Sequence, residues 1–382
     1  MSITPFQVDW PADARAKVMA DLQRAELPPA PPHSGWDYGC DADYLAELRR
    51  YWLEDFDWDA AQATLNRYPQ YRTRIDGVDI HYVHVRGERA TSRPLLLTHG
   101  WPGSHFEFWD VVEPLAFPSR FGGKAEDAFD LVIPSLPGFG YSGPLHHLVS
   151  QRETAALWNR LMTDILGYPA YLAQGGDWGG IVTSWLGLDH KRSLTAIHLN
   201  MAPFQAPLPP QNDAEAAWMQ ASGAAQKRLS GYSHLQMTKP QSLVWMAAGN
   251  PLGQAAWIIE RFHDWADLRH RAFEDVFSKD FLITNALLYI MPGSFPSAAW
   301  YYLGIAKDGG VVLPPGTRCE TPTAVAAFPG DTLLPVAPRS RAELAYNITH
   351  WTDMPSGGHF AASEEPALFV DDIRKWARVC SP

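Results

Sequence analysis

Gly175-Gly176-Asp177-Trp178-Gly179 follows the apolar run Tyr171-Leu172-Ala173 and opens a helical stretch that reaches about His190. The order reads as strand, sharp turn, helix, with the G-x-S-x-G spacing and aspartate at the centre. Glycines suit such a turn because it is tight and a neighbouring strand passes close by. The turn would lift the central side chain above a sheet, at a helix N-terminus whose dipole favours a carboxylate. A plain Gly-rich turn capped by Asp177 is the simpler reading of the same five residues. An aspartate held there can also attack saturated carbon and form an alkyl ester.

The surroundings fit a mostly parallel, doubly wound α/β sheet. Leu95-Leu96-Leu97-Thr98 and Leu131-Val132-Ile133 read as strands buried on both faces. Gln151–Leu166 has helical spacing and stops at Gly167, and Thr195–Leu199 is the next strand. After Pro203–Pro210 the alternation breaks, and residues 206–318 read as largely helical. Expected helices there are Asp213–Leu229, Gln241–Ala248, Leu252–Asp264 and Asp280–Ile290, with Asp213 and Asp280 suited to cap their helices. Strand patterns resume at Thr323–Phe328 and Asn347–Met354, and Pro366–Val379 closes the chain as a helix.

Towards the N-terminus, Leu27–Pro32 is stiff and extended. Helices are expected near Asp41–Leu53 and Trp58–Arg67, then a hairpin within Tyr71–Arg86 that turns at Asp76-Gly77. The expected organisation is an N-terminal extension (1–92) wrapped on the core, two core segments (93–205 and 319–382), and a helical cap (206–318).

Two further residues stand after strands, where ligands of α/β sheets bind. Asp331 follows Phe328-Pro329-Gly330, and His359 lies in Gly357-Gly358-His359-Phe360. A carboxylate can hold imidazole Nδ1–H and leave Nε2 as a base. The order 177, 331, 359 is nucleophile, acid, histidine, the order of α/β-hydrolases. His99-Gly100-Trp101-Pro102 follows the strand Leu95–Thr98, so the amides of Trp101 and Trp178 are the expected oxyanion donors. Whether Trp101-Pro102 is cis is open. Gly138-Phe139-Gly140-Tyr141-Ser142-Gly143 matches G-x-G-x-x-G, but Pro137 and Pro144 flank it, so it reads as a loop and not a dinucleotide site.

The 382 residues carry a formal charge of −11, which disfavours nucleic acid as a partner. The three cysteines, Cys40, Cys319 and Cys380, are too scattered for a disulfide framework or a CxxC metal site. No secretory signal opens the chain and no apolar run reaches the ~18 residues of a membrane span, so a cytoplasmic protein without a membrane partner is expected. The 16 Trp, 14 Tyr and 17 Phe are explained by aromatic cores or by a pocket for a bulky apolar ligand.

His99-Gly100-Trp101-Pro102-Gly103-Ser104, Pro137-Gly138-Phe139-Gly140-Tyr141-Ser142 and the Asp177 turn together resemble epoxide hydrolases of the α/β-hydrolase fold. Gly231-Tyr232-Ser233-His234-Leu235-Gln236, Thr238-Lys239-Pro240 and Gly357–Ala362 with Glu364-Glu365-Pro366 resemble the branch of microsomal and juvenile hormone epoxide hydrolases. Pro5–Tyr82 is similar to that branch's extension.

The resemblance implies that Asp177 attacks an oxirane carbon and that Tyr232 and a second lid tyrosine protonate the oxygen. Tyr302 is the match for the second, with Tyr301 as fallback. His359, oriented by Asp331, would activate water against the ester. Trp101, Trp178, Tyr232 and Tyr302 would bind substrate. The product would be a vicinal diol, with no cofactor and no metal. A small-molecule epoxide is the expected partner, bulky and apolar or aromatic, and a homodimer is left open. An Ala/Arg/Pro/Trp-rich composition suggests a high-GC bacterium, in which the epoxide would be a xenobiotic or a natural-product intermediate. The alternative is a haloalkane or haloacid dehalogenase with the same three residues but no paired lid tyrosines.

Overall fold

Strand pairing joins nine strands into one sheet in the order β1-β2-β3-β5-β4-β6-β7-β8-β9. The strands are β1 (Thr4–Phe6), β2 (Gln70–Ile75), β3 (Val78–Val85), β4 (Arg93–Thr98), β5 (Phe129–Pro134), β6 (Tyr171–Gly175), β7 (Leu194–Leu199), β8 (Cys319–Ala327) and β9 (Tyr346–Asp353). The computed structural model describes residues 2–380. From β5 through β9 every pairing is parallel. Every residue of β5 and β6 is buried, as expected for strands covered by helices on both faces.

The hairpin at Asp76-Gly77 forms as its turn chemistry predicts, and β3 then pairs antiparallel with β5 through Tyr82–Val85. The sheet therefore runs continuously across residue 92. Helix Ala12–Arg24 had no clear signal in the sequence: it buries only Val18 and Leu22, and Pro11 at its start offers no side-chain cap. It packs on helix Pro251–Trp265. Trp36 stacks on His263 of the same helix at 3.9 Å.

Helices Asp213–Leu229, Gly231–Thr238, Pro240–Ala247, Pro251–Trp265, Lys279–Ile290 and Phe295–Trp300 fill the interval between β7 and β8. Two expected caps are corrected. Asn212, not Asp213, accepts the free amide of Glu215, and Ser278, not Asp280, accepts that of Phe281. Each aspartate already lies inside its helix, in the first turn, where it faces the helix dipole without capping. The helix from Gln151 stops at Arg160 and continues as a wider π-type turn over Leu161–Ile165. Helix Pro366–Val379 buries Phe369, Val370, Ile373, Trp376 and Ala377, one stripe at helical spacing. Among the described residues, no helix is long and apolar enough to cross a membrane.

Candidate active site

Asp177 is the first residue of helix Asp177–Asp189 and directly follows the β6 strand and Gly176. Its φ is +50°, a left-handed backbone that non-glycine residues rarely adopt. The surroundings hold this strained turn in place. A side chain at Gly179 would run into the Thr98 carbonyl at the end of β4, and one at Gly100 would run into the Asp177 carboxyl. The glycines of the motif thus let β4, the next loop and the turn approach each other.

The Trp101 amide donates to Asp177 Oδ1 at 2.8 Å. The Trp101-Pro102 bond is cis. The Trp178 amide lies in the first helical turn, where no backbone acceptor precedes it. His99 anchors the loop. Its Nδ1–H donates to the Gly100 carbonyl at 2.9 Å and its Nε2 accepts the Leu136 amide at 3.1 Å. This pattern requires a neutral ring, and burial pushes its pKa down to about 4.

His359 stands between two carboxylates. Its Nδ1 is 2.9 Å from Asp331 Oδ2 and its Nε2 is 3.2 Å from Asp177 Oδ2. Asp331 is itself fixed by the amides of Leu333 and Leu334 at 3.0 and 2.9 Å. Burial works to lower the His359 pKa. The neighbouring Asp331 and Asp177 outweigh it and hold the imidazole well above its usual range.

Tyr232 of helix Gly231–Thr238 and Tyr302 of the turn Tyr301–Leu303 line one cavity with Asp177 and cross at 86° with ring centroids 5.9 Å apart. Burial and, in part, the Asp177 charge raise both phenols well above the usual tyrosine value, so both keep their protons. Tyr301 points elsewhere: its hydroxyl hydrogen-bonds Thr154 Oγ1 at 2.9 Å. Trp178 meets Tyr302 edge-on at 4.6 Å. The Trp101 ring does not line the cavities beside Asp177; it stacks behind Tyr232 at 5.1 Å.

Two cavities meet at Asp177. The smaller, about 140 Å³, is lined by Trp178, Tyr232, Tyr302, Met237 and Ile305. The larger, about 290 Å³, carries His359 and Asp331 among Met201, Trp218, Val325, Phe328, Val336 and Trp351, with Asn200, Gln205 and Ser222 as polar exceptions. Ile181, Met201 and Leu334 line both.

Sequence reasoning passed over Trp265 and Glu107. Trp265, at the end of helix Pro251–Trp265, packs on His359 and Tyr232 at 5.0 Å each, and its carbonyl accepts the His359 amide at 3.1 Å. Nothing local marks it among so many tryptophans. The Glu107 carboxyl is pushed up to about 8 by burial, with the His359 charge pulling the other way. An acidic residue inside the aromatic run His105–Trp109 was the available hint.

The model of the "Epoxide hydrolase N terminus" family matches residues 3–108, and that of the "alpha/beta hydrolase fold" matches residues 93–234. A protein of Stigmatella aurantiaca assigned as an epoxide hydrolase is 38% identical over 384 residues, covering 98% of this chain and 85% of its own. Epoxide hydrolase 1 of Oryctolagus cuniculus is 32% identical, with 98% of this chain and 88% of its own covered. The crystal structure of the Bombyx mori juvenile hormone epoxide hydrolase superposes with a TM-score of 0.88 at 26% identity, over 99% of this chain and 95% of that one. A strained aspartate elbow on an α/β-hydrolase sheet, full-length similarity to these enzymes and the N-terminal family match lead to one conclusion: the chain belongs to the epoxide hydrolase family.

Proposed function

We propose that this enzyme opens a bulky, apolar epoxide through an ester on Asp177. The observation that carries this is the grip on the nucleophile. One carboxylate oxygen of Asp177 takes the Trp101 amide, the other faces His359, and two protonated phenols stand over the same group.

In this reading Asp177 Oδ2 attacks an oxirane carbon as the carbon–oxygen bond breaks. The leaving oxygen takes a proton from Tyr232 or Tyr302, since an alkoxide needs a donor still protonated at neutral pH. The ester removes one negative charge beside His359. Its imidazolium then loses a counterion, which favours the neutral ring that can act as base. His359 takes a proton from water, hydroxide adds to the Asp177 carbonyl carbon, and the amides of Trp101 and Trp178 hold the oxyanion. The phenolate takes, through solvent, the proton that the imidazolium sheds once the ester has formed. Collapse then breaks the ester bond, the leaving alkoxide takes the proton of the new carboxylic acid, and a vicinal diol departs with the Asp177 carboxylate and the imidazolium restored.

The apolar lining of the 290 Å³ cavity supports a hydrocarbon substituent on the substrate, and its Trp218, Phe328 and Trp351 suit an aromatic one. Residues 206–318 act as the lid in this reading, on a core of 93–205 and 319–382 wrapped by 1–92. A dehalogenase would place halide-binding N–H donors where the two tyrosine hydroxyls stand, so the tyrosine pair favours the epoxide.

The test replaces His359 with Gln and adds styrene oxide. An intact-mass gain equal to the epoxide, mapped to Asp177, is expected. No adduct on the variant, together with no wild-type turnover over a panel of epoxides, rejects the reading.

A further inference from the structure

We propose that Glu364 is a positioning residue for His359, fixing the backbone on both sides of the histidine and tying it to the lid. The inference rests on the reading of His359 as the base that hydrolyses the ester.

Glu364 is buried at 4% exposure in the short helix Ala361–Glu364, directly after the histidine loop. Its carboxylate accepts three backbone N–H groups. Oε2 takes those of Gly358 at 2.9 Å and Asp267 at 2.8 Å, and Oε1 takes that of Phe360 at 2.8 Å. Gly358 and Phe360 are the two neighbours of His359 in the chain. Asp267 lies just past the lid helix that ends at Trp265, and the Trp265 carbonyl holds the His359 amide. Asp267 completes the tie: its Oδ2 accepts the Gly357 amide at 3.0 Å, and Arg269 forks onto both its oxygens. Four consecutive amides, 357 to 360, therefore have acceptors supplied from outside the loop.

Burial pushes the Glu364 carboxyl up to about 7, and the three N–H groups work against it by favouring the carboxylate, the form this arrangement needs. Three donors converge on two oxygens, and each oxygen must accept only. Glutamine has the same shape but would aim an NH2 at an N–H, leaving a buried backbone donor unpaired. The loop would then relax around His359, whose ring must place a water against the ester carbon. Tyr232 and Trp101 meet the clamp only through the Trp265 ring, whereas Glu364 bonds the backbone on both sides of His359, so its loss falls first on the histidine loop and not on ring opening. Sub-ångström misplacement of a reacting group is enough to cost on the order of 10- to 100-fold in rate.

The experiment is single-turnover reaction of wild type and Glu364→Gln with styrene oxide, quenched and read by intact mass. The expected result is ester formation within about 3-fold of wild type and ester decay slowed about 10- to 100-fold, so that adduct accumulates. A role in folding alone would lower the active fraction without changing the ratio of the two rates. Formation and decay that fall together, or a decay rate that is unchanged, overturns the proposal. If Glu364→Gln does not fold, Glu364→Asp carries the same test, because the shorter acid keeps the charge but cannot span all three amides. An ester that never forms on wild type or on His359→Gln rejects the proposed mechanism instead, so the two failures are distinguishable.

Discussion

The indole of Trp101 lies flat against the phenol of Tyr232, with ring centroids 5.1 Å apart and planes within 8°. One residue of the loop after β4 thus touches two parts of the site: its amide holds Asp177 Oδ1, and its ring backs Tyr232, which lines the same cavity as that carboxylate. The backbone contact survives a side-chain change, but the stacking does not. Trp101→Leu is therefore expected to slow ester formation about 10-fold or more, since the donor is displaced from its acceptor. Rapid-quench measurement of the adduct checks this. A formation rate equal to wild type would separate Trp101 from the placement of Tyr232.

The two adjacent tyrosines are expected to behave differently. Tyr302→Phe and Tyr232→Phe each remove a hydroxyl over Asp177 and should slow ring opening about 10²-fold, in the range of general-acid contributions. Tyr301→Phe removes only the bond to Thr154 and should lower stability by about 1 kcal/mol while leaving ring opening near wild type. Single-turnover rates and denaturant midpoints on the three variants give the comparison. Loss of ring opening in Tyr301→Phe alone would reverse the assignment.

The protonation of His359 is tied to Asp177. Because the imidazole pKa is raised in the fold, its charge adds stability that is fully present below the unfolded value of about 6.5. That contribution is lost as pH rises through the folded value. Asp177→Asn neutralises one partner, as the ester would, and is expected to lower the His359 pKa. NMR titration of the ring reads it directly, and an unchanged pKa would remove Asp177 as a cause. For turnover, hydrolysis needs the neutral ring, so ester decay should rise with pH through the His359 pKa of the ester form.

Asp372, on the helix Pro366–Val379 that covers the sheet, binds three groups from β7 and β9, the strands on either side of β8. His198 Nε2 lies 2.9 Å and His350 Nε2 3.0 Å from its oxygens, and Thr352 Oγ1 donates at 2.6 Å. Burial works to raise its pKa, but the His198 bond and the others outweigh it and hold the carboxyl below its usual range. Its contribution is therefore present above the unfolded value near pH 4 and lost as pH falls through the folded value. Asp372→Ala strands buried His198 and should cost about 3 kcal/mol, read as a lower urea midpoint at neutral pH. A change below about 0.5 kcal/mol would show that the network adds little.

Much of the fold was legible because its signals are local. The turn at Asp177, the Asp76-Gly77 hairpin and the buried runs of β4, β5 and β6 are each set by a few neighbouring residues whose side chains admit one backbone path. Helix Pro366–Val379 was readable in full, since a stripe at helical spacing bounded by proline leaves no rival. Helix Ala12–Arg24 was not, because it buries only two residues of its own and packs on two other helices, Ala42–Glu54 and the distant Pro251–Trp265. The caps at Asn212 and Ser278 were missed by a residue or two, since a run of polar residues offers several candidates and only the backbone geometry selects one.

By itself the sequence determined the α/β class, the order Asp177, Asp331, His359, and the resemblance that the family comparisons bear out. Each of those is written in short motifs or in their order along the chain. The tertiary structure decided what depends on contact between distant segments. Tyr302 rather than Tyr301 faces Asp177, because Thr154 on a core helix takes the other hydroxyl. Trp101 acts as a backing plate instead of a cavity wall, because helix Gly231–Thr238 lays Tyr232 over it. Glu364, visible only as part of a motif, gains a reason because folding brings three buried amides to it, two of them beside His359. A linear pattern carries the chemistry of each group; burial and the partners brought from far along the chain set its direction, its charge and what it can reach.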